Sequence, residues 1–391
     1  MAKIVGFPRS LLKQSKQERL KYFSNFTIAH PRLVETYEEL MRVIRRTGSG
    51  TLILVFGPSG VGKSTLLRRV QRQLTAERMT ELEERPDLIP VVVDELVGPD
   101  SGCFNWKDFY RRLLISMDEP LVDRKVVYEK TEAPQSPRIY FKTGPRSVTA
   151  DLRFAVEQTL KYRKPGAVLI DEAQHLAKMA SGRKLEDQLD CLKSLSNQTG
   201  VLFVLMGTYE LLAFHNLNAQ LSRRTINVHF GRYRLDNKGD GHAFKSALLT
   251  FQKHLPLNEE PNLLARWDYF YERSLGCVGI LKDWLARALG ETLDQGSSRL
   301  TDKHVEMYAP SLSQCHKLLS DAIAGEKKLT DKKESLHELR VRLGLIGCDQ
   351  ERQSDQATLK LRKPVQRAHP RTKGRRGRRR AKRDPVAGRE L

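Results

Sequence analysis

Gly57-Pro58-Ser59-Gly60-Val61-Gly62-Lys63-Ser64-Thr65 is the stretch whose reading decides the fold. It follows the apolar run Thr51-Leu52-Ile53-Leu54-Val55-Phe56 and leads into Leu66-Leu67-Arg68-Arg69-Val70. A buried strand, a glycine-rich turn and a helix, in that order, are what a phosphate-binding loop requires, and G-x-x-x-x-G-K-[ST] is met in full. The glycines let the backbone turn tightly, so that its N–H groups converge on phosphate oxygens. The helix start adds its positive dipole end. Lys63 then charges the β- and γ-phosphates, and the Ser64 hydroxyl ligates Mg²⁺.

A second motif is Ala167-Val168-Leu169-Ile170-Asp171-Glu172-Ala173-Gln174-His175-Leu176. Four apolar residues end in two carboxylates, so the acids sit at the C-terminal tip of a buried strand. That edge of an open parallel sheet is where ligands bind. Asp171 is placed to hold Mg²⁺, and Glu172 to orient and deprotonate an attacking water. Another buried strand, Val201 to Met206, ends in Gly207-Thr208. Thr208, between the two motifs, can sense the γ-phosphate, cap the next helix, or do both. Arg223 and Arg224 precede a fifth strand, Thr225 to Phe230. In a monomer they are solvated charges; in a ring or filament they can reach a neighbour's nucleotide and stabilise transition-state charge in trans.

The remaining segments follow from periodicity. Residues 1–26 are polar and basic and read as an N-terminal arm, followed by an amphipathic helix from Leu33 to Ile44. Leu88 to Val93 reads as a strand. Residues 94–146 are irregular, with two short strands expected within 124–146 as a protruding hairpin. Helices are expected over 149–163 and 185–198. From Asp236 to about Ala324 the pattern is all-helical, with helices near 241–255, 262–275, 278–293, 301–309 and 311–324. Lys282, in one of these, either faces nucleotide phosphates from a lid or lies on the surface. A single charged helix is expected over 326–347.

The 391-residue chain carries a net charge of +21. Residues 351–391 hold 15 Lys or Arg against 4 Asp or Glu. Such a run is expected to be disordered alone and to bind DNA phosphates or an acidic partner. A basic protein of this kind is expected to meet a polyanion, most simply nucleic acid. No apolar run is long enough to span a membrane, and Met1 to Gln14 lacks an apolar signal core, which predicts a cytoplasmic protein. The 5 cysteines are scattered without metal-ligand spacing and read as reduced thiols.

Together these features resemble an AAA+ ATPase. More narrowly, Asp171-Glu172-Ala173-Gln174-His175-Leu176, the run from Leu221-Ser222-Arg223-Arg224 through His229-Phe230-Gly231-Arg232-Tyr233, and Gly276-Cys277-Val278-Gly279-Ile280-Leu281 are similar to the TnsC/TniB transposition ATPases. The resemblance covers about 20–310. It implies an α/β P-loop fold with a five-stranded parallel core (49–235) and a helical lid (236–325); the N-terminal arm, which with the first helix makes up 1–48, and the basic tail, which with a charged helix makes up 326–391, lie outside it. It implies ATP and Mg²⁺ as cofactors, with residues 57–65 (Pro58, Ser59 and Val61 included) and Lys282 at the nucleotide. Lys63, Glu172, Thr208 and Arg223, with Arg224 in reserve, would be catalytic, and Ser64 and Asp171 the metal ligands. The expected second-sensor arginine is replaced by Lys282. The implied partners are double-stranded DNA, other copies in a ring or helical homo-oligomer, a transposase and a target-selection protein. DNA contacts would fall on Lys125, Lys142, Thr143, Arg146 and Thr149. Two other readings share the fold: a helicase loader or replication initiator, and a nucleotide-switched scaffold with little turnover.

Overall fold

The computed structural model describes residues 6–48, 50–98, 104–120, 122, 125–127, 141–142, 149–177, 182–216, 225–329 and 333–345. Five strands form one parallel sheet: β1 (Leu52–Phe56), β2 (Val92–Glu95), β5 (Val168–Asp171), β6 (Phe203–Gly207) and β7 (Thr225–His229), in the order β2-β5-β6-β1-β7. Parallel neighbours need crossovers, and helices on both faces supply them. All five residues of β1 are buried, as are all five of β6, which is why both read as unbroken apolar runs. On one face Leu54, Phe56 and Phe203 pack with Leu113 of α5 (Trp106–Ser116), Val156 of α6 (Thr149–Arg163) and Leu192 of α8 (Gly182–Thr199). On the other, Ile53, Val55 and Val204 meet Leu40 of α2 (Pro31–Arg46) and Val70 of α3 (Lys63–Glu77).

The second strand starts later than the sequence predicts. Leu88 to Pro90 are irregular, held by the Ile89 N–H to the Arg163 carbonyl and by the Pro90 carbonyl accepting from Gly166. Pairing with β5 begins only at Val92, opposite Val168. The expected hairpin is present as β3 (Lys125–Val127) and β4 (Phe141–Lys142), an antiparallel pair with a bulge between Lys125 and Val126.

A third core is helical. It joins α9 (Asp240–His254), α10 (Trp267–Ser274), α11 (Val278–Asp294) and α12 (Asp302–Met307). The indole N–H of Trp284, fully buried, donates to the Val305 carbonyl at 2.8 Å. The N-terminal segment is not a free arm. Its helix α1 (Lys16–Asn25), started by a Ser15–Glu18 capping box, packs along α11 and places Phe23 in that core with no exposed surface. Removing such a side chain costs about 3–5 kcal/mol. Leu11, Leu12, Leu20 and Phe23, spread over a polar and basic stretch, make too sparse a stripe to reveal this docking.

The chain divides after Thr330 into two compact units. The first holds every element above together with α13 (Leu312–Leu329); the second holds α14 (Lys333–Arg342). The single helix expected over 326–347 is thus replaced by the end of α13 and a separate α14. The three described cysteines, Cys191, Cys277 and Cys315, are unpaired. Among the described residues no helix is long and apolar enough to cross a membrane.

Candidate nucleotide site

The loop and the acidic motif meet at the C-terminal edge of the sheet, because β1 and β5 flank β6 in parallel register. Gly60 (φ +74°) and Gly62 (φ +115°) take left-handed backbone that other residues resist. Lys63 opens α3 directly after Gly62. That helix has no side-chain N-cap and no acidic residue in its first turn, so its leading N–H groups are left to an anion. The Lys63 ammonium is buried and donates to the Gly57 carbonyl at 3.1 Å and the Pro58 carbonyl at 2.9 Å. Burial holds its pKa below the ordinary lysine value, against the pull of Glu172 and then Asp171. A phosphate would supply the compensating charge these carbonyl oxygens lack.

The Ser64 hydroxyl donates to Asp171 Oδ2 at 2.8 Å across 107 residues of sequence. Two hard oxygens, one of them a carboxylate 8% exposed, suit Mg²⁺, which takes one or two protein oxygens and fills its shell with water and phosphate. Ser64 and Asp171 are the residues that would hold it. The second Asp171 oxygen accepts from the Glu172 N–H at 2.9 Å. Glu172 itself has φ +52°, an uncommon conformation for a side-chain-bearing residue. Its carboxylate accepts a hydrogen bond from Gln174 Nε2. Gln174 Oε1 accepts from the Thr208 N–H at 3.1 Å, and Thr208 Oγ1 caps the Glu210 N–H at 3.4 Å. Thr208 therefore sits beside the acidic pair and also caps the helical turn Tyr209–Asn216.

The helical lid contacts the loop. The Ile280 N–H donates to the Gly60 carbonyl at 3.2 Å. A Cβ on Gly279 would lie 2.4 Å from that carbonyl oxygen, so only glycine admits the approach. Lys282 lines the same cleft with Val61, Gly62 and Thr65, beside His30 and Phe251. Its ammonium donates to the Ser24 carbonyl at 2.7 Å, which ties the lid to the N-terminal segment.

Sequence reasoning placed Lys63, Ser64, Asp171, Glu172 and Thr208 near one another, and they are together. It gave Gln174 no role, although a carboxamide two residues after the acidic pair, at the start of an otherwise apolar turn, was a usable signal. Lys125 and Lys142 are register partners on the β3–β4 ribbon, and Thr149 is the exposed first residue of α6. Thr143, Arg146, Arg223 and Arg224 lie outside the described residues. The described chain resumes at Thr225, whose register partner is Leu52 at the start of β1, away from Lys63.

The geometry is that of a P-loop NTPase, on an α/β fold with a five-stranded parallel sheet, and it is consistent with ATPase activity. Residues 45–214 match the family model described as AAA domain. None of the curated proteins matches. Solved structures that are similar include the Aeropyrum pernix ORC2 protein in ADPNP-ADP complexes, at 14% identity over 74% of this chain and 70% of that one, with a TM-score of 0.48. The Aeropyrum pernix ORC1 protein in complex with DNA matches at 16% identity over 79% and 70%, with a TM-score of 0.47. Cdc6p from Pyrobaculum aerophilum matches at 12% identity over 78% and 71%, with a TM-score of 0.45.

Proposed function

We propose that this protein is an ATP-hydrolysing switch that assembles in several copies on double-stranded DNA. The observation that carries the nucleotide chemistry is the 2.8 Å Ser64–Asp171 contact beside a buried Lys63 and an uncapped helix start. In this reading Lys63 neutralises the β- and γ-phosphates, Ser64 and Asp171 hold Mg²⁺, and Glu172 takes a proton from the attacking water. Thr208 reads the γ-phosphate from the tip of β6. Arg223, with Arg224 in reserve, completes a neighbour's site. A finger used in trans suits residues that precede Thr225, since β7 begins at the sheet edge remote from its own loop. Duplex DNA is met by Lys125 and Lys142 on the β3–β4 ribbon, by Thr143, Arg146 and Thr149, and by the basic run within 351–391.

Two finer readings divide from here. One is a replication-initiator-like ATPase, the kind of protein the similar ORC and Cdc6p structures represent. The other is a regulator of transposition that recruits a transposase to a site chosen by a targeting protein. It is supported by the motif resemblance at 171–176, 221–233 and 276–281. Electron microscopy with duplex DNA and a non-hydrolysable ATP analogue tests the shared proposal. Ordered oligomers that need both are expected, and their absence sinks it. Pull-down of a transposase by the DNA-bound assembly separates the two finer readings. Glu172→Gln should trap the ATP-bound, DNA-bound state; hydrolysis at the original rate would remove Glu172 as the base.

A further inference from the structure

The Gln174 carboxamide has two partners, and their chemistry fixes its orientation. The Thr208 backbone N–H can only donate, so the atom facing it at 3.1 Å is Oε1. Nε2 is then turned to the Glu172 carboxylate, which can only accept. Gln174 is 5% exposed, so neither bond is traded for water at little cost. The β6 tip is shaped to receive it: a Cβ on Gly207 would lie 2.4 Å from Gln174 Oε1 and 3.0 Å from its backbone N. The turn beneath is pinned by the Ala173 N–H to the Met206 carbonyl at 2.8 Å. A single buried side chain thus joins the strand tip beside the phosphate loop to the carboxylate two residues before it. The Glu172 carboxylate also acts on the Lys63 ammonium of α3.

We propose that Gln174 is a positioning residue for hydrolysis: it holds the Glu172 carboxylate in one orientation, and transmits movement of Thr208 to it. This rests on Glu172 being the base. Displacement of the β6 tip by a bound γ-phosphate moves Oε1, and the rigid carboxamide carries that movement to Nε2 and so to Glu172. Only the base's orientation is affected; nucleotide contacts of Lys63 and Ser64 are made elsewhere.

The test is steady-state ATPase of the full chain, with nucleotide affinity measured separately by a fluorescent ATP analogue. Gln174→Leu removes both bonds and should lower kcat on the order of 10- to 100-fold, the scale for a misplaced catalytic group, while affinity changes less than about threefold. Gln174→Glu keeps the acceptor for Thr208 but replaces the donor to Glu172 by a carboxylate that repels it, so kcat should fall by a similar factor with affinity again little changed. A packing role alone would be met by Gln174→Glu, which keeps the size and shape of the side chain, and kcat would then stay near the wild type. The double variant Glu172→Gln, Gln174→Leu should be no slower than Glu172→Gln alone. If Gln174→Leu does not fold, the kcat of Gln174→Glu decides. A wild-type kcat for Gln174→Glu, or an unchanged kcat for Gln174→Leu while Glu172→Gln is inactive, overturns the role of Gln174 alone. Wild-type hydrolysis by Glu172→Gln overturns the reading of Glu172 and this proposal with it.

Discussion

Removing Glu326 should loosen the join between the sheet and the lid, and the size of the effect follows from its contacts. Glu326, on α13, accepts from Arg232 Nε at 2.8 Å and Nη2 at 3.3 Å, and from Arg234 Nη1 at 3.4 Å. The Arg232 and Glu326 side chains are each 11% exposed. Both charges are thus largely desolvated, and the pair holds α13 to the segment that leaves β7. Truncating one partner of a buried pair costs about 3–5 kcal/mol, chiefly because the other charge stays buried. The cost of Glu326→Ala belongs at the lower end. Arg234 is 41% exposed and also pairs with Asp236, so it can turn to solvent, and Arg232 keeps its 3.4 Å bond to the Leu275 carbonyl. A loss of about 3 kcal/mol corresponds to a fall in Tm of about 4 °C in a chain of 391 residues. Thermal unfolding of the full chain at pH 7, followed by circular dichroism without nucleotide, measures it. The double variant Arg232→Met, Glu326→Leu should recover most of the loss, since apolar groups of similar volume carry no desolvation cost. The Tm difference should also survive 0.5 M salt, as a screened surface pair would not. A fall below about 1 °C, or a double variant no better than the single, refutes the reasoning.

His30 is buried and its pKa is lowered to about 4 by desolvation, so the unfolded chain, at 6.5, binds the extra proton. Its contribution is intact above pH 6.5 and is lost as pH falls towards 4, about 3 kcal/mol in all. His30→Asn, which keeps a side-chain helix cap, should flatten the fall in urea midpoint between pH 7 and 4.5, and an unchanged fall would place the cause elsewhere. Lys63→Ala should weaken ATP binding at least about tenfold in a fluorescence titration, since the loop's one buried cation is removed. Asp171→Asn should raise the Mg²⁺ concentration needed for half-maximal hydrolysis, with ATP affinity at saturating Mg²⁺ little altered. Lys125→Ala with Lys142→Ala should reduce the slope of log affinity for duplex DNA against log salt by about 2; an unchanged slope removes the ribbon from the interface.

The three central strands were legible because they are buried on both faces and so read as apolar runs. At the edges of the sheet β7 is only half-buried over Thr225–Asn227, and β2 carries Asp94 and Glu95, which break the run where the strand carries on. Only its pairing with Ile170 and Asp171 identifies them as strand. The acidic pair and the loop were legible because each side chain has a chemical task at a fixed offset from a strand end. The docking of α1 was not legible, since Phe23 is its one fully buried side chain and the rest is made by half-buried residues such as Leu20 and Tyr22 and by polar contacts such as Arg19 to the Pro256 carbonyl. Nor was the split between α13 and α14, because charge-rich helical sequence continues through residues 326–345 without a glycine or proline before Gly344.

The contacts illegible in sequence are also those that join the nucleotide loop to the rest of the molecule. Gly60 accepts from Ile280 on α11, α11 packs along α1, and Lys282 of α11 binds the Ser24 carbonyl at the end of α1. His30, which begins α2, binds the Tyr233 hydroxyl at 3.0 Å, and Tyr233 bonds the lid turn through its N–H to Gly276. A shift of the loop therefore loads the lid through two routes, one at Gly60 and one through α2. Because the route at Gly60 tolerates no side chain on Gly279, lid position and loop conformation cannot vary independently there. That coupling is what a nucleotide-governed assembly needs. On the proposed function, phosphate held at Lys63 would act on one turn of backbone, and the lid, with α1 fixed to it, would carry that shift outward to a neighbouring molecule.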